Sequence, residues 1–210
     1  MSNMNVLSQL SNYAIVSDQI KRPALNAVLS QFETVLKTDV QGDVVEFGCY
    51  IGTTSLYLRR LLDMYSQSAV RELHVYDSFE GLPAKISADM SSAGSDFKAG
   101  ELTVSKRQLL NEFHKANLRA PVVHKGWFNQ LSTDAVPDTV AFAFLDGDFY
   151  TSILDSLRLV WPRMAQGGII CIDDYQREAL PGVERAVRDY FQNKPYKLQV
   201  SHNIATIKQS

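Results

Sequence analysis

The fold is decided by a short stretch near residue 48, which reads Val44-Val45-Glu46-Phe47-Gly48-Cys49-Tyr50-Ile51-Gly52. An apolar, β-branched run leads into a turn bounded by glycines, and beyond it apolar residues recur at helical spacing, at positions 58, 61, 62 and 65. This order predicts a strand, a tight turn and a helix. Ligands of open α/β sheets bind beyond the carboxyl ends of strands, so the turn is a candidate binding site. Its glycine spacing differs from the G-x-G-x-x-G pattern of dinucleotide-binding turns.

Further short apolar runs alternate with amphipathic segments along the chain, which predicts an α/β fold. Most of these runs are continuous, as expected for strands that are covered on both faces of a mostly parallel sheet. Two strand-like segments near residue 200 are joined by a short polar turn, which predicts a hairpin at an antiparallel edge. The predicted strands are residues 44–47, 73–76, 122–123, 140–145, 169–172, 197–200 and 204–207.

Three more amphipathic helices are predicted around the sheet. The clearest has an apolar stripe from Tyr150 to Met164, a cap at Thr151 or Ser152, and a stop at Pro162. A second helix begins at residue 182 and a third covers residues 23–36. The segment 78–102 has little periodicity, and loops of this length are often lids or binding elements.

Composition and charge narrow the functional classes. The 210 residues are 45% hydrophobic and 21% charged, as is typical of one globular domain. The net charge of -2 provides no cationic field for nucleic acid. No stretch approaches the ~20 apolar residues that a bilayer requires, so no membrane partner is expected. Cys49 and Cys171 lie in apolar, strand-like contexts, which predicts buried thiols in a reducing, cytoplasmic setting.

An acidic residue, Asp77, closes the second predicted strand. A carboxylate at this place can accept hydrogen bonds from a ribose diol, as in nucleotide-binding sites. Together with the turn after the first strand, it predicts a ligand that carries adenosine. An isolated Asp at a strand end is more often a helix cap or a surface carboxylate.

Two other predicted strands also end in acidic residues, in the motifs Asp146-Gly147-Asp148 and Asp173-Asp174. One crossover helix separates them, so the two strands should be neighbours and their acids should converge. Two carboxylates ~5 Å apart repel by roughly 3 kcal/mol at an effective dielectric constant of 20, and a hard cation such as Mg²⁺ relieves this repulsion. Asp173 and Asp174 alternate in direction, so both reach one ion only if the backbone bends at the strand end.

These residues resemble the macrocin O-methyltransferase family of bacterial sugar and antibiotic tailoring enzymes, which is related to metal-dependent catechol-type O-methyltransferases. Six ordered motifs between residues 43 and 191 carry the resemblance. They are Val45-Glu46-Phe47-Gly48, Tyr76-Asp77-Ser78-Phe79-Glu80-Gly81-Leu82-Pro83, Lys125-Gly126-Trp127-Phe128, Leu145-Asp146-Gly147-Asp148-Phe149-Tyr150, Ile172-Asp173-Asp174-Tyr175 and Pro181-Gly182-Val183.

The resemblance implies a Rossmann-like, seven-stranded class I methyltransferase sheet, mostly parallel with an antiparallel last strand, that uses S-adenosylmethionine and Mg²⁺. The methyltransferase domain would span residues 41–210, with a helical segment, residues 1–40, packed on it. The implied cofactor-binding residues are Glu46, Gly48, Tyr50 and Gly52 at the methionine end, Asp77 at the ribose, and Ser78, Trp127 and Phe128 at the adenine. Asp146, Asp173 and Asp174 are the implied metal ligands, with Asp174 in place of a usual Asn.

The expected reaction is in-line methyl transfer to a hydroxyl of a small molecule, with a sugar favoured by the resemblance. Asp146 is the expected base, and Asp148 and Lys125 are within reach. The acceptor pocket is expected to be lined by the loop 78–102 and by Tyr150, Tyr175, Gln176 and Arg177. Residues 1–20 could close the site or join two subunits, so a homo-oligomer stays open.

Two rival hypotheses come from other classes. A haloacid-dehalogenase-like phosphotransferase would explain the Asp-x-Asp motif and Mg²⁺, but it leaves residues 46–52 without a role. A non-catalytic adenosine-binding subunit would keep the turn, but it has no need of three converging carboxylates.

Overall fold

The computed structural model of the protein describes residues 6–93 and 97–210. Seven strands and six α-helices lie within these ranges. The strands are β1 (Asp43–Phe47), β2 (Leu73–Asp77), β3 (Val122–Lys125), β4 (Val140–Leu145), β5 (Met164–Ile172), β6 (Leu198–Ser201) and β7 (Ile204–Lys208). The helices are α1 (Val6–Leu10), α2 (Arg22–Lys37), α3 (Thr53–Met64), α4 (Lys106–Lys115), α5 (Tyr150–Val160) and α6 (Pro181–Phe191).

The strands form one sheet in the order β3-β2-β1-β4-β5-β7-β6. Strands β1 to β5 pair in parallel, whereas β7 is antiparallel to both β5 and β6. This confirms the predicted sheet, with the antiparallel strand β7 lying inside the edge strand β6. The chain proceeds from β1 towards β3 on one side and from β4 towards β5 on the other. The gap between β1 and β4 is therefore the switch point at which ligands of such sheets bind.

Each face of the sheet has its own hydrophobic core. Phe142 and Phe144 of β4 pack in the core on the side of α2 and α3, and Ala143 and Leu145 pack in the core on the side of α5 and α6. All six residues of β4 are buried, which explains why the sequence of this strand is continuously apolar. Burial of each large side chain contributes about 1.5–3 kcal/mol, so the central strands are the most stabilised part of the fold.

The amino-terminal segment shares the first of these cores. Helix α2 packs against β4, β5, β7 and α3. Its residues Leu25, Val28 and Phe32 are fully buried. None of the helices within residues 6–93 and 97–210 has the length and apolar character needed to cross a bilayer.

The boundary between α5 and β5 differs from the sequence prediction. Helix α5 ends at Val160, a 3-10 turn follows at Trp161–Arg163, and Met164 is the first residue of β5 rather than the last of the helix. Pro162 explains the early end, because it lacks the N–H that would continue the helix. The predicted caps Thr151 and Ser152 are also wrong, since Phe149 occupies the cap position and provides no side-chain cap.

Two helices also differ from expectation. Arg59 lies outside the apolar stripe of α3 at positions 58, 61, 62 and 65, which predicts an exposed side chain, but it is fully buried, and α1 packs against this helix. Helix α4 is absent from the sequence prediction. It starts with a capping box in which the Ser105 hydroxyl accepts the Gln108 amide (3.2 Å) and the Gln108 side chain accepts the Ser105 amide (2.9 Å).

Candidate active site

A cavity of about 400 Å³ opens at the carboxyl ends of the parallel strands, at the switch point between β1 and β4. Its walls come from the turns that follow β1 to β5, from the first turn of α5 and from the loop after β2. The lining includes Gly48, Tyr50, Asp77, Ser78, Gly126, Trp127, Phe128, Asp146, Asp148, Thr151, Asp174 and Arg177. Most of the predicted site residues therefore meet in one place.

Gly48 allows the turns after β1 and β4 to approach each other closely at the switch point. Its φ is +86°, and a Cβ at this position would lie 1.8 Å from the backbone oxygen of Asp146. Two hydrogen bonds hold the neighbouring turns together here: the Gly48 amide donates to the Tyr76 carbonyl (2.9 Å) and the Asp146 amide to the Phe47 carbonyl (2.8 Å). Only glycine allows this approach, which brings the turn after β1 against the acidic turn after β4.

Asp77 joins the turns that follow β1 and β2. Its Oδ2 accepts the amides of Cys49 (3.1 Å) and Tyr50 (2.9 Å), and its Oδ1 accepts the amide of Phe79 (2.8 Å). Burial raises the pKa of Asp77, and these three amides oppose the rise. Of the roughly four lone-pair positions of a carboxylate, about one stays available for a ribose hydroxyl. Asp77 thus shapes the turn as well as facing the cavity.

An aromatic wall follows β3. Trp127 and Phe128 line the cavity, and the Phe128 ring meets Phe47 edge-on at 5.2 Å. Ser78 also lines the cavity, but its hydroxyl is used within its own turn, where it donates to the Gly81 carbonyl (3.0 Å). Flat apolar side chains of this kind can stack on a nucleobase.

Glu46 and Gly52 are not among the described residues that line the cavity. Glu46 is buried and accepts a hydrogen bond from Ser55. Burial raises its pKa to about 8, the Ser55 bond opposes this, and the charge of Asp77 adds to it. Gly52 has a φ of +90° and occupies the cap position of α3. Both residues build the turn, and their contact with a cofactor stays a prediction.

The acidic residues after β4 and β5 are electrostatic neighbours. Burial raises the pKa of Asp146 well above its usual range, and the charges of Asp173, Asp148 and Asp174 add to it. Burial likewise raises the pKa of Asp148, with repulsion from Asp174 and Asp173. The pKa of Asp173 rises to about 7 by burial and by the charge of Asp174. The charges of these acids therefore act on one another, with Asp148 among them, whereas their convergence on one ion stays a prediction.

The backbone bend that the sequence required is present. Asp174 has a left-handed φ of 54°, and its amide donates to Asp173 Oδ1 at 2.9 Å. Asp174 then faces the cavity and pairs with Arg177 at 3.1 Å. Asp173 itself is not among the described lining residues.

The acidic cluster of Asp146, Asp148, Asp173 and Asp174 is a candidate cation site. Across residues 6–93 and 97–210, no group of three or more His, Cys, Asp or Glu side chains already has the arrangement of a metal site. The donors do fit Mg²⁺ chemically, because they are hard carboxylate oxygens. Burial, and after it the repulsion between these acids, raises the pKa of Asp146, Asp148 and Asp173. Mg²⁺ binding by Asp146, Asp173 and Asp174 therefore stays a prediction.

The predicted acceptor residues are only partly at the cavity. Arg177 lines it, whereas Tyr150, Tyr175 and Gln176 are outside the described lining. The Tyr150 hydroxyl donates to Asp189 (3.0 Å), away from the pocket. Tyr175 is 8% exposed and packs in the core beside α6. The left-handed bend before Tyr175 turns its backbone to the β6–β7 hairpin, which explains the error.

The loop after β2 forms the apolar side of the cavity. Leu82, Pro83, Ile86, Phe97 and Leu102 line it, whereas residues 94–96 of the predicted lid lie outside the described residues. The amide of Leu82 donates to the Glu101 carbonyl (2.9 Å), which fastens the two arms of the loop together. The loop thus lines the cavity, and its role as a lid or binding element stays a prediction.

The amino-terminal segment reaches the cavity as well. Gln19 belongs to the lining, and the amide of Ser17 donates to the Thr53 hydroxyl at the start of α3 (3.2 Å). Gln19 therefore lies at the cavity, residues 1–5 are outside the described residues, and both roles left open for residues 1–20 stay predictions.

The strand order, the antiparallel β7 and the position of the cavity define a class I methyltransferase fold. The family model of the macrocin O-methyltransferases (TylF) matches residues 15–208, and the chain belongs to this family.

Individual relatives agree with this assignment. The chain is 35% identical over 164 residues to the 8-demethyl-8-(2,3-dimethoxy-alpha-L-rhamnosyl)-tetracenomycin-C 4'-O-methyltransferase of Streptomyces olivaceus, covering 75% of this chain and 61% of the relative. It is 30% identical over 174 residues to the mycinamicin III 3''-O-methyltransferase of Micromonospora griseorubida, covering 79% and 66%. The solved structure of the O-methyltransferase NovP superimposes with a TM-score of 0.73 at 27% identity, covering 89% of this chain and 79% of NovP. The chain thus spans about two thirds or less of the two curated relatives.

Proposed function

We propose that the protein is an S-adenosylmethionine-dependent, Mg²⁺-dependent O-methyltransferase that acts on a sugar hydroxyl of a small molecule. One observation carries the proposal. One cavity is lined by the Asp77 carboxylate, by the aromatic wall at Trp127 and Phe128, and by the acidic turn at Asp146. The residues that would bind the nucleoside and the carboxylates that would take part in the reaction can therefore contact a cofactor and an acceptor bound in the same cavity.

The cofactor would lie across the switch point. Asp77 would accept a hydrogen bond from a ribose hydroxyl, and Trp127 and Phe128 would stack on the adenine. Gly48 and Tyr50 of the turn after β1 line the cavity together with Gln19, and they would face the methionine end. The apolar loop 81–102 would exclude water from the reacting groups.

The acidic cluster would bind the cation and move the acceptor proton. Asp146, Asp173 and Asp174 would hold Mg²⁺, which when bound lowers the pKa of an acceptor hydroxyl and orients a diol. A bond forms between the hydroxyl oxygen and the methyl carbon while the carbon–sulfur bond breaks. The proton of the hydroxyl passes to a carboxylate, for which Asp146 is the assigned base.

The sugar acceptor is supported by the relatives. The name of the Streptomyces olivaceus enzyme describes O-methylation of a rhamnosyl compound, and the name of the Micromonospora griseorubida enzyme describes 3''-O-methylation of mycinamicin III. The apolar loop together with Arg177 gives this cavity a rim of mixed polarity, which suits a glycoside that carries an apolar aglycone.

A thermal-shift titration tests the cofactor half of the proposal. S-Adenosylmethionine at about 100 times its Kd should stabilise the protein by about 2.7 kcal/mol, or roughly 5–11 °C for a chain of this size. Asp77→Ala should abolish the shift, and the exposed control Asp134→Ala should keep it. An absent response in the unsubstituted protein would contradict the proposal.

Turnover tests the metal half. Asp173→Ala should keep the cofactor-induced shift and lose transfer to glycosides with vicinal hydroxyl groups. Chelation of Mg²⁺ should have the same effect in the unsubstituted protein. Normal methylation by both Asp77→Ala and Asp173→Ala would show that these roles are assigned wrongly.

A further inference from the structure

Asp89 is a buried acidic residue in the loop after β2, in a 3-10 turn at Ser87–Asp89, and it is 2% exposed. Its Oδ1 accepts the amide of Tyr150 at 2.6 Å, and its Oδ2 accepts the amide of Ile86 at 3.0 Å. Tyr150 is the first residue of α5, whose own cap position supplies no side-chain bond. Asp89 therefore caps this helix from a distant part of the chain, where a negative charge also favours the helix dipole.

The same carboxylate is wedged against the start of α6. A Cβ at Gly182 would lie 2.0 Å from Asp89 Oδ1 and 2.8 Å from the Tyr150 amide nitrogen. Arg185 of α6 donates to the carbonyl of Ala88 at 2.6 Å, which fastens the turn from its other side. The loop is thus fixed at this point to the starts of both helices.

Asp89 consequently ties two walls of the cavity together. Asp148 stands two residues before Tyr150 with a left-handed φ of 58°, in a turn closed by a 2.6 Å bond from the Phe149 amide to the Gly147 carbonyl. This irregular turn ends at Tyr150, whose amide donates to Asp89. Ile86, at the other end of the same carboxylate, lines the cavity.

We propose that Asp89 is a positioning residue: it fixes the acidic turn 146–150 relative to the loop that contacts the acceptor. The expected effect of Asp89 on kcat rests on the function proposed above. Its structural consequence does not, because the two amides that it binds can be observed without turnover.

Amide hydrogen exchange in the full chain tests the structural consequence. Asp89→Ala should speed exchange in the peptides that span residues 84–91 and residues 146–153. Ser91→Ala is the matched control, because the Ser91 hydroxyl fastens the same loop to the Glu178 carbonyl (2.6 Å). It should speed exchange in the loop alone. Faster exchange confined to the loop in Asp89→Ala as well would overturn the proposal.

Kinetics test the positioning role. Asp89→Ala should lower kcat by about tenfold to a hundredfold, because small misplacements of reacting groups have effects of this size. Its Kd for S-adenosylmethionine should stay within about twofold, since Asp89 lies outside the described cavity lining. Asp89→Asn keeps one acceptor for the Tyr150 amide and should recover part of kcat. A lowered Tm with unchanged kcat would overturn the proposal, as would an equal loss of cofactor affinity.

Gly182 supplies a second, independent perturbation. Gly182→Ala should displace the Asp89 carboxylate and reproduce the kcat loss, although alanine is the better helix former. In an Asp89→Ala background the same substitution should lower kcat by a smaller factor than it does in the wild-type background, because the contact with the Asp89 carboxylate is gone and only the contact with the Tyr150 nitrogen remains. Fully additive losses would contradict the coupling. If the unsubstituted protein transfers no methyl group, the proposed function fails, while the exchange measurements still decide the role of Asp89.

Discussion

Gly48→Ala is the substitution that most directly probes the switch point. The added Cβ would meet the Asp146 carbonyl oxygen at 1.8 Å and its carbonyl carbon at 2.7 Å. Both are backbone atoms, so no side-chain rotation relieves the contact. Relief requires that the turn after β1 move away from the turn after β4, which would open the proposed cofactor site.

The size of the effect has two parts. A left-handed φ costs a residue with a Cβ about 1–2 kcal/mol. Overpacking adds about 1–3 kcal/mol, which gives a total of roughly 2–5 kcal/mol in the free energy of unfolding. At about 2–4 °C per kcal/mol for a chain of this length, Tm should fall by roughly 4–20 °C.

Gly100→Ala separates the two parts. Gly100 has a similar φ of +82°, but a Cβ there would meet no atom within 4 Å. This variant should lose only the conformational contribution, about 1–2 kcal/mol, and keep its affinity for S-adenosylmethionine. The assay is thermal unfolding of both variants with and without the cofactor. Equal Tm values and equal cofactor affinities for the two variants would refute the reasoning.

Two further predictions concern pH. Glu46 has a folded-state pKa of about 8, above its unfolded value, so its contribution to stability is lost as the pH rises through 8. Because the unfolded carboxyl ionises from about pH 4.5, Glu46→Gln should match wild type in Tm near pH 4.5, exceed it at neutral pH, and exceed it by a constant margin above about pH 8. The reverse order would show that Glu46 is ionised in the fold. The pKa of Asp173 is about 7, so Mg²⁺ must displace a proton below this pH. The Mg²⁺-induced rise in Tm should grow from about pH 6 to about pH 8, and a rise independent of pH would contradict metal binding at this residue.

The central strands that hold the site, β1 and β4, were predictable because each is buried on both faces. The run at β4 is continuously apolar and the run at β1 is interrupted only by Glu46, since alternate residues enter the two cores. Acidic residues at the carboxyl ends of the parallel strands β2, β4 and β5 then had to meet at one edge of the sheet, as Asp77, Asp146 and Asp174 do. In this respect local sequence pattern and tertiary position agree.

The errors arise where a distant segment decides the environment of a residue. The burial of Arg59 accompanies the packing of α1, whose position leaves no periodic signal within α3. The cap of α5 comes from Asp89, which is 61 positions away, so Thr151 and Ser152 were reasonable but wrong choices. Tyr175 was placed at the pocket because it follows the acidic pair, yet the left-handed Asp174 turns it into the core. The capping box of α4 was a usable local signal.

The most direct test follows an isotopically labelled methyl group. The protein is incubated with labelled S-adenosylmethionine and a panel of glycosides that bear vicinal hydroxyl groups, with Mg²⁺ or with a chelator, and the products are examined by mass spectrometry. We expect the label on a sugar oxygen in the presence of Mg²⁺ and its loss on chelation. Label transfer at the same rate with the chelator, or cofactor binding with no transfer to any glycoside, would contradict a shared site for the nucleoside and the acidic cluster.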